Sequence, residues 1–441
     1  MMSIGEVISD LRSLSFLKED FRMKKFLAML LALVMVLSLA ACGGKKTEEP
    51  AKTEEPAKTE EPAAPADPAA EVKVGLICVH DENSGYDAAH IDGLKTACAA
   101  LGIPDSQIIM KYNIPEDETC FDMAVELAEA GCGIVFSDSY GHQTYMQQAA
   151  SEFEDVIFVA CTGDMAANSG LSNLKNMFPY TYESRYVSGI VAGMKLKELM
   201  DAGKVSDPYV GYVGAFPYAE VVCGYTAFLL GIQSIVPGAH MDVQYTNSWY
   251  DPVAEGEVAN ALMSKGCVII GQHADSTGAP SAVQAVKDSG KEVYSVGYNI
   301  DMLSVAPTAA LTSAQNNWSV LYKATLEKFI AGEEIPTDYA TGVKDGAVMI
   351  SALGESCAAG TQEAVDAAWA AIKDGSLKVF DTSTFTVGGE TVTTAFGLDT
   401  DGDWVNDTGE AIVDGAFQES VLRSAPYFAL RIDGITELNN N

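Results

Sequence analysis

KVGLICV, residues 73–79, carries one charge at its start and then six apolar or small residues, and it stops at His80-Asp81-Glu82-Asn83-Ser84-Gly85-Tyr86-Asp87. A short apolar run ending in polar residues and a glycine reads as a strand buried on both faces, with its polar tip outside the sheet. The same form recurs as QIIMKY (107–112), GIVFSD (133–138) and DVIFVAC (155–161). Helical stretches lie between them, such as Cys120–Gly131 with apolar Phe121, Val125, Leu127 and Ala128 and a glycine stop. Strand, helix, strand in this rhythm predicts a parallel sheet with right-handed crossovers.

The rhythm then restarts. PYVGYVG (208–214), MDVQYT (241–246), CVIIGQ (267–272) and EVYSVGY (292–298) alternate with helical stretches at 219–234, 253–265 and 279–289. The expected fold is therefore α/β, with two doubly wound, Rossmann-like lobes and a border near Tyr180, after KNMFPYTY. The helical segment Trp318–Ala331 is expected to return to the first lobe. This puts 72–181 with 310–332 in the N-terminal lobe and 182–309 with 333–441 in the C-terminal one. Beyond Gly332 the pattern is less regular: strand-like VKDGAVMI (343–350), a helix at Gln362–Lys373, and the glycine- and threonine-rich FTVGGETVTTAF (385–396).

Ahead of the lobes, Lys24 and Lys25 precede the apolar Phe26–Ala41, and Leu39-Ala40-Ala41-Cys42-Gly43-Gly44 follows. Basic, apolar, then small residues is the layout of a secretory signal, and 16 residues fall short of the about 20 that cross a bilayer. The ending resembles the lipobox of bacterial lipoproteins, so Cys42 is the expected lipidation site and residues 1–41 are upstream extension and signal, with Met23 the natural start. Lys46–Ala63 is three copies of K-T-E-E-P-A. With charge and proline but no aromatic or branched apolar residue, 42–71 is expected to be a lipidated, disordered linker spanning about 30 Å as a coil and up to about 90 Å extended.

Of the 441 residues, the lobes occupy about 370, a length that suits two cores. The formal charge is −34. Such a chain repels phosphate backbones, so nucleic acid is not an expected partner. Cys42 apart, eight cysteines stand singly in apolar or helical runs with no C-x-x-C, so their spacing defines no disulfide framework.

Ligands of doubly wound sheets sit outside the carboxyl ends of the strands. The first-lobe tips offer Asp81, Tyr86 and Asp87, then Ser139-Tyr140-Gly141-His142. The second-lobe tips offer Phe216-Pro217-Tyr218 with Glu220, then Trp249-Tyr250-Asp251, Gln272-His273-Ala274-Asp275 and Tyr298-Asn299-Ile300-Asp301. Aromatics beside carboxylates, amides and imidazoles are suited to gripping a flat, polar heterocycle by its faces and edges. Catalytic templates are missing: there is no G-x-S-x-G, H-E-x-x-H or G-x-x-x-x-G-K-[ST], and no histidine pair at i, i+4. No cofactor is expected. In GLDTDGDWVNDTGE, Asp399, Asp401, Asp403, Asp407 and Glu410 fall at positions 1, 3, 5, 9 and 12 of a calcium loop. Trp404 stands where the sharp turn wants glycine, so a solvated acidic loop competes with the calcium reading.

From Val72 to about Ile350 the chain resembles the basic membrane protein family of lipoproteins, substrate-binding components of ABC importers that include purine nucleoside receptors. The stretches that carry the likeness are ENSGYDAAHIDGL (82–94), YTYESRYVSGIVAG (180–193), GAFPYAEVVCGYTAFLLGIQSIVP (214–237), TNSWYDPVAEGEVANALMSKG (246–266), QHADS (272–276), VGYNIDM (296–302) and LTSAQNNW (311–318). The resemblance implies a type I periplasmic-binding fold with a hinge, no enzymatic activity, an ABC permease as partner, and anchorage to the membrane through lipid on Cys42. It places Tyr86-Asp87 where many members have Phe-Asn beside the ligand, Ser139-Tyr140 at a Ser-Phe, and Phe216 at an aromatic facing the base. Asn299 replaces the usual aspartate of G-x-D-S-D while Asp301 keeps the second acid. Asn316, followed two residues on by Trp318, stands where nucleoside receptors carry a lysine. N-S-W-Y-D-P and Q-H-x-D-S resemble the branch that binds a purine base. The competing expectations are a surface nucleoside-processing enzyme and a ligand sensor with no transport role.

Overall fold

The computed structural model describes residues 68–400 and 405–439. The expected signal, Cys42 and nearly all of the K-T-E-E-P-A linker lie outside the described residues. Pro68–Glu71, expected within the linker, forms a 3₁₀ turn and buries Ala69 in the first core.

Two sheets hold the fold. In the first, β2 (Ile108–Lys111), β1 (Val74–Ile77), β3 (Ile134–Ser137), β4 (Ile157–Ala160), β5 (Leu174–Pro179) and β11 (Asp338–Thr341) lie side by side, all parallel. In the second, β7 (His240–Tyr245), β6 (Tyr209–Gly214), β8 (Ile269–His273), β9 (Tyr294–Tyr298) and β10 (Ala310–Asn316) are parallel, with the C-terminal strand Ile435–Glu437 added parallel to β7 and β12 (Val348–Ile350) antiparallel to β10. β1, β3 and β8 are buried along their whole length, which is why they read as unbroken apolar runs.

The helices between them start and stop where the local chemistry dictates. α1 (Gly85–Leu101) is capped by Ser84, whose hydroxyl accepts from Asp87 N, and ends at the left-handed Gly102. α2 (Glu118–Glu129) and α3 (Gln143–Glu152) cover the first sheet. α6 (Pro252–Lys265) carries the Asp251 cap, proline in its first turn and Gly266 at its end, and α7 (Gly278–Asp288) packs beside it. The two most deeply buried helices, α4 (Thr181–Asp201) and α5 (Ala219–Gln233), pack so closely that a Cβ at Gly189 would stand 2.1 Å from Phe228 O.

The chain crosses between lobes three times. α4 carries it from β5 into the second sheet. α8 (Trp318–Ala331) carries it back, burying Trp318, Leu321, Tyr322 and Leu326 against Val74, Leu76 and Leu94 of the first core. After β11 it returns to β12. Residues 310–316, expected with the first lobe, are thus a strand of the second sheet, and 338–341, expected with the second, are the edge strand of the first. VKDGAVMI is a strand only at its end, Val348–Ile350, because Gly342–Gly346 turns the chain. Helix α9 (Thr361–Asp374) follows, and then the C-terminal segment, whose Phe417, Tyr427 and Phe428 join Phe380 in the second core. No described helix is long and apolar enough to cross a membrane.

Candidate ligand-binding site

Because the strands of each sheet point their carboxyl ends at the gap between lobes, eleven side chains at or near their tips line one pocket, about 370 Å³ of space between atoms that is partly open to solvent. The first lobe contributes Val79, Tyr86, Asp138, Ser139, Tyr140 and Thr162, the second Glu220, Trp249, His273, Asp275 and Tyr298. The lobes meet around it: Gly85 N donates to Asp275 O across the cleft at 3.0 Å, and the rings of His80 and Tyr250 lie 5.6 Å apart.

The walls are aromatic. Tyr86 donates its hydroxyl to Cys161 O (3.0 Å) and packs edge-on against His90. Trp249 leans on Phe216 (5.1 Å between centroids), and Phe216 stacks on Tyr218. The Trp249 indole Nε1 is buried without a hydrogen-bond partner in the protein, so it is a donor available to whatever enters.

The polar groups are mostly acids. Burial, and then the nearby Asp87, pushes the Asp138 carboxyl well above its usual range, and its Oδ2 has no hydrogen-bond partner in the protein. Asp87 lies fully buried behind it. There, hydrogen bonds from His80 and Ser84 outweigh burial and hold its carboxyl low. Two carboxyls so close cannot both ionise, so the proton resides on Asp138. Glu220 is raised to about 7 by burial, against the pull of Arg185. Burial, then Asp87, raises Asp275 well above the carboxylate range. His273, 3.1 Å from Glu220 through Nε2, is held neutral by burial and by Arg185. None of the lining residues is lysine or arginine. Arg185 lies underneath, donating to Gln272 O at 2.7 Å with its guanidinium 3.6 Å from the centre of the Tyr298 ring.

Of the residues expected at the site, Tyr86, Ser139, Tyr140, Trp249, His273 and Tyr298 line the pocket. Phe216 backs Trp249. Gln272 braces the turn behind His273, its Nε2 donating to Ala274 O and Ser276 O. Asn299, at φ 62°, donates to Asp275 Oδ1 at 2.8 Å and so orients that acid. Asn316 ties the crossing together, accepting from Thr181 Oγ1 and donating to the Tyr298 hydroxyl. Trp318 is buried against His90, 3.7 Å between centroids. Asp81 faces outward to Asn83 and Asn113, and Asp301 caps the turn at Met302. Glu220 and Asp275, which the strand-tip sequences had offered, also line the pocket, whereas Val79, Asp138 and Thr162 were not among the expected residues. Each of these three sits one or two residues past a strand end, at Ile77, Ser137 and Ala160, while Glu220 stands further on, in the first turn of α5.

The acidic loop is framed differently from a calcium hand. Asp401 and Asp403 lie outside the described residues. The flanks are antiparallel strands, β13 (Phe396–Leu398) and β14 (Thr408–Glu410), where a calcium hand has helices. Glu410 Oε1 accepts from the backbone of Ala395 and Ile412, Asp407 N donates to Leu398 O, and Asp399 O accepts from Asn168.

Two lobes, three crossings and a tip-lined cleft define a solute-binding protein of the type I periplasmic-binding class. The sequence model of the Bmp family, described as ABC transporter substrate-binding protein PnrA-like, matches residues 76–380, and the chain belongs to this family. A purine-binding protein of Brucella abortus is 30% identical over 285 residues, 64% of this chain and 75% of that one. A Haloferax volcanii protein named for glucose binding by an ABC transporter is 30% identical over 260 residues, 59% of this chain and 62% of that one. An ABC transporter solute-binding protein of Aeropyrum pernix K1 shares the fold, with TM-score 0.60 at 14% identity, over 70% of this chain and 93% of its own. As a substrate-binding component the protein works outside the cytoplasm, takes a small molecule and meets a permease; it is not an enzyme.

Proposed function

We propose that the protein captures a purine base or nucleoside between its lobes and passes it to an ABC permease, while lipid on Cys42 holds it at the membrane. The observation that carries this reading is the pocket's inventory: aromatic walls, an indole N–H without a partner, several protonatable carboxyls and no cation. A purine offers two flat faces to the tyrosines and Trp249, ring nitrogens to the indole N–H, and N–H groups to the acids. Anionic nucleotides are disfavoured, because burying a phosphate among carboxyls without a paired cation is costly. On entry the lobes close, and the Gly85–Asp275 contact is one of the bonds that closure makes. The similarity to the Brucella abortus purine-binding protein supports this choice.

The Haloferax volcanii relative supports a second reading, a hexose, which stacks one face on an aromatic ring and gives hydroxyls to carboxylates. A thermal-shift panel of adenine, adenosine, guanosine and glucose separates the two. Stabilisation by a purine and none by glucose is expected; stabilisation by glucose alone sinks the purine reading.

A further inference from the structure

The family match ends at residue 380, yet the chain that follows returns to the cleft. Residues 419–428 form a closed loop around Glu419, whose buried carboxylate accepts from the backbone N–H groups of Ser420, Tyr427 and Phe428. The base of the loop belongs to the second lobe, where Tyr427 and Phe428 are fully buried with Phe417 and Phe380. Its tip reaches the first lobe. Ser424 donates from both N (2.9 Å) and Oγ (2.8 Å) to Asp338 Oδ1 on the edge strand β11. Arg423 stands 3.5 Å from Asp164 Oδ2, with both side chains only 13% exposed. That same Asp164 oxygen accepts the hydroxyl of Tyr140, a wall of the pocket, at 2.8 Å. Arg423, Ala425 and Pro426 also line the space of about 800 Å³ at the pocket's mouth, which shares Tyr140, Thr162 and Glu220 with the pocket itself.

We propose that residues 419–428 are a clasp across the cleft, and that Arg423 is a positioning residue that acts through Asp164 on Tyr140. The loop is rigid by its own hydrogen bonds and anchored to one lobe by apolar burial, so the lobes cannot part without breaking the Arg423–Asp164 and Ser424–Asp338 contacts. A mostly buried ion pair loses more when one partner is removed than an exposed one does, because the other charge is left unpaired. The clasp therefore slows ligand exit and keeps the Tyr140 ring in place.

The clasp joins the lobes whatever the ligand, and only the exit rate of adenine rests on the purine reading. The test uses the full chain as Arg423→Met, Asp164→Asn, the two combined, and Arg423→Lys. Small-angle scattering without ligand should show a larger radius of gyration for each single variant, no further increase in the double variant, and partial return with lysine. Adenine release, followed by tryptophan fluorescence, should speed up by about tenfold in the single variants. Unchanged scattering in both single variants, or fully additive effects in the double variant, overturns the clasp. Expansion with no response to adenine keeps the clasp and removes the purine reading.

Discussion

Replacing Trp249 with phenylalanine separates two effects that a larger truncation would confound. The ring keeps its contact with Phe216, while the indole N–H, buried without a partner, disappears. Without ligand, that N–H is a desolvated donor, and an unmet buried donor costs about 1 to 3 kcal/mol. Its removal should leave the melting temperature of the free protein unchanged or raise it. With ligand, the N–H gains an acceptor, and a neutral hydrogen bond contributes about 1 kcal/mol net. Binding should therefore weaken by roughly five- to tenfold, since about 1.4 kcal/mol is a factor of ten. Isothermal titration with adenine and a calorimetric melt of the free variant measure the two signs independently. Lost stability with unchanged affinity would show that the indole N–H serves the fold, and the pocket assignment of Trp249 would be refuted.

Three further outcomes follow from particular residues. Burial holds Glu220, Glu183 and Glu255 at about 7 against an ordinary value of 4.5, so between these pH values the folded chain binds more protons than the unfolded one. Their contribution is present in full below about pH 4.5 and is lost as pH rises through about 7, and Glu220→Gln should flatten the fall in melting temperature between pH 5 and 8; an unaltered profile contradicts this. Gly189→Ala should destabilise by about 3 kcal/mol in a denaturant titration, because the neighbouring atom is the backbone carbonyl of Phe228, which has no rotamer to escape into. Tyr140→Phe should weaken ligand binding severalfold with little change in stability, since the Asp164 oxygen it leaves still has Arg423 beside it.

The lobes were legible because their central strands are buried on both faces and so appear as continuous apolar runs. Where burial is polar, the reading failed. β5 carries Lys175 and Asn176, both buried, with Asn176 reaching Asp338, and β10 carries Thr312, Ser313 and Asn316, met by Ser351 and Thr181. These strands satisfy their side chains through residues distant in sequence, and no local pattern announces that. At β10 the expected lobe boundary shifted, whereas the border expected near Tyr180 falls where β5 hands over to α4. The site was legible as a place more than as a set of residues. Strand tips located the pocket, but whether a tip side chain faces ligand or braces a neighbour depends on packing: Asn299 orients Asp275, and Trp318 follows α8 into the first core. The clasp left no sequence signal, since Arg423 and Ser424 gain meaning only from Asp164 and Asp338, far away along the chain.

Calorimetric titration of the purified full chain with adenine, adenosine and glucose bears most directly on the pocket's chemistry. The account predicts one saturable site for a purine, unaffected by glucose as competitor and lost in Trp249→Ala. Saturable binding of glucose with none of either purine would contradict it.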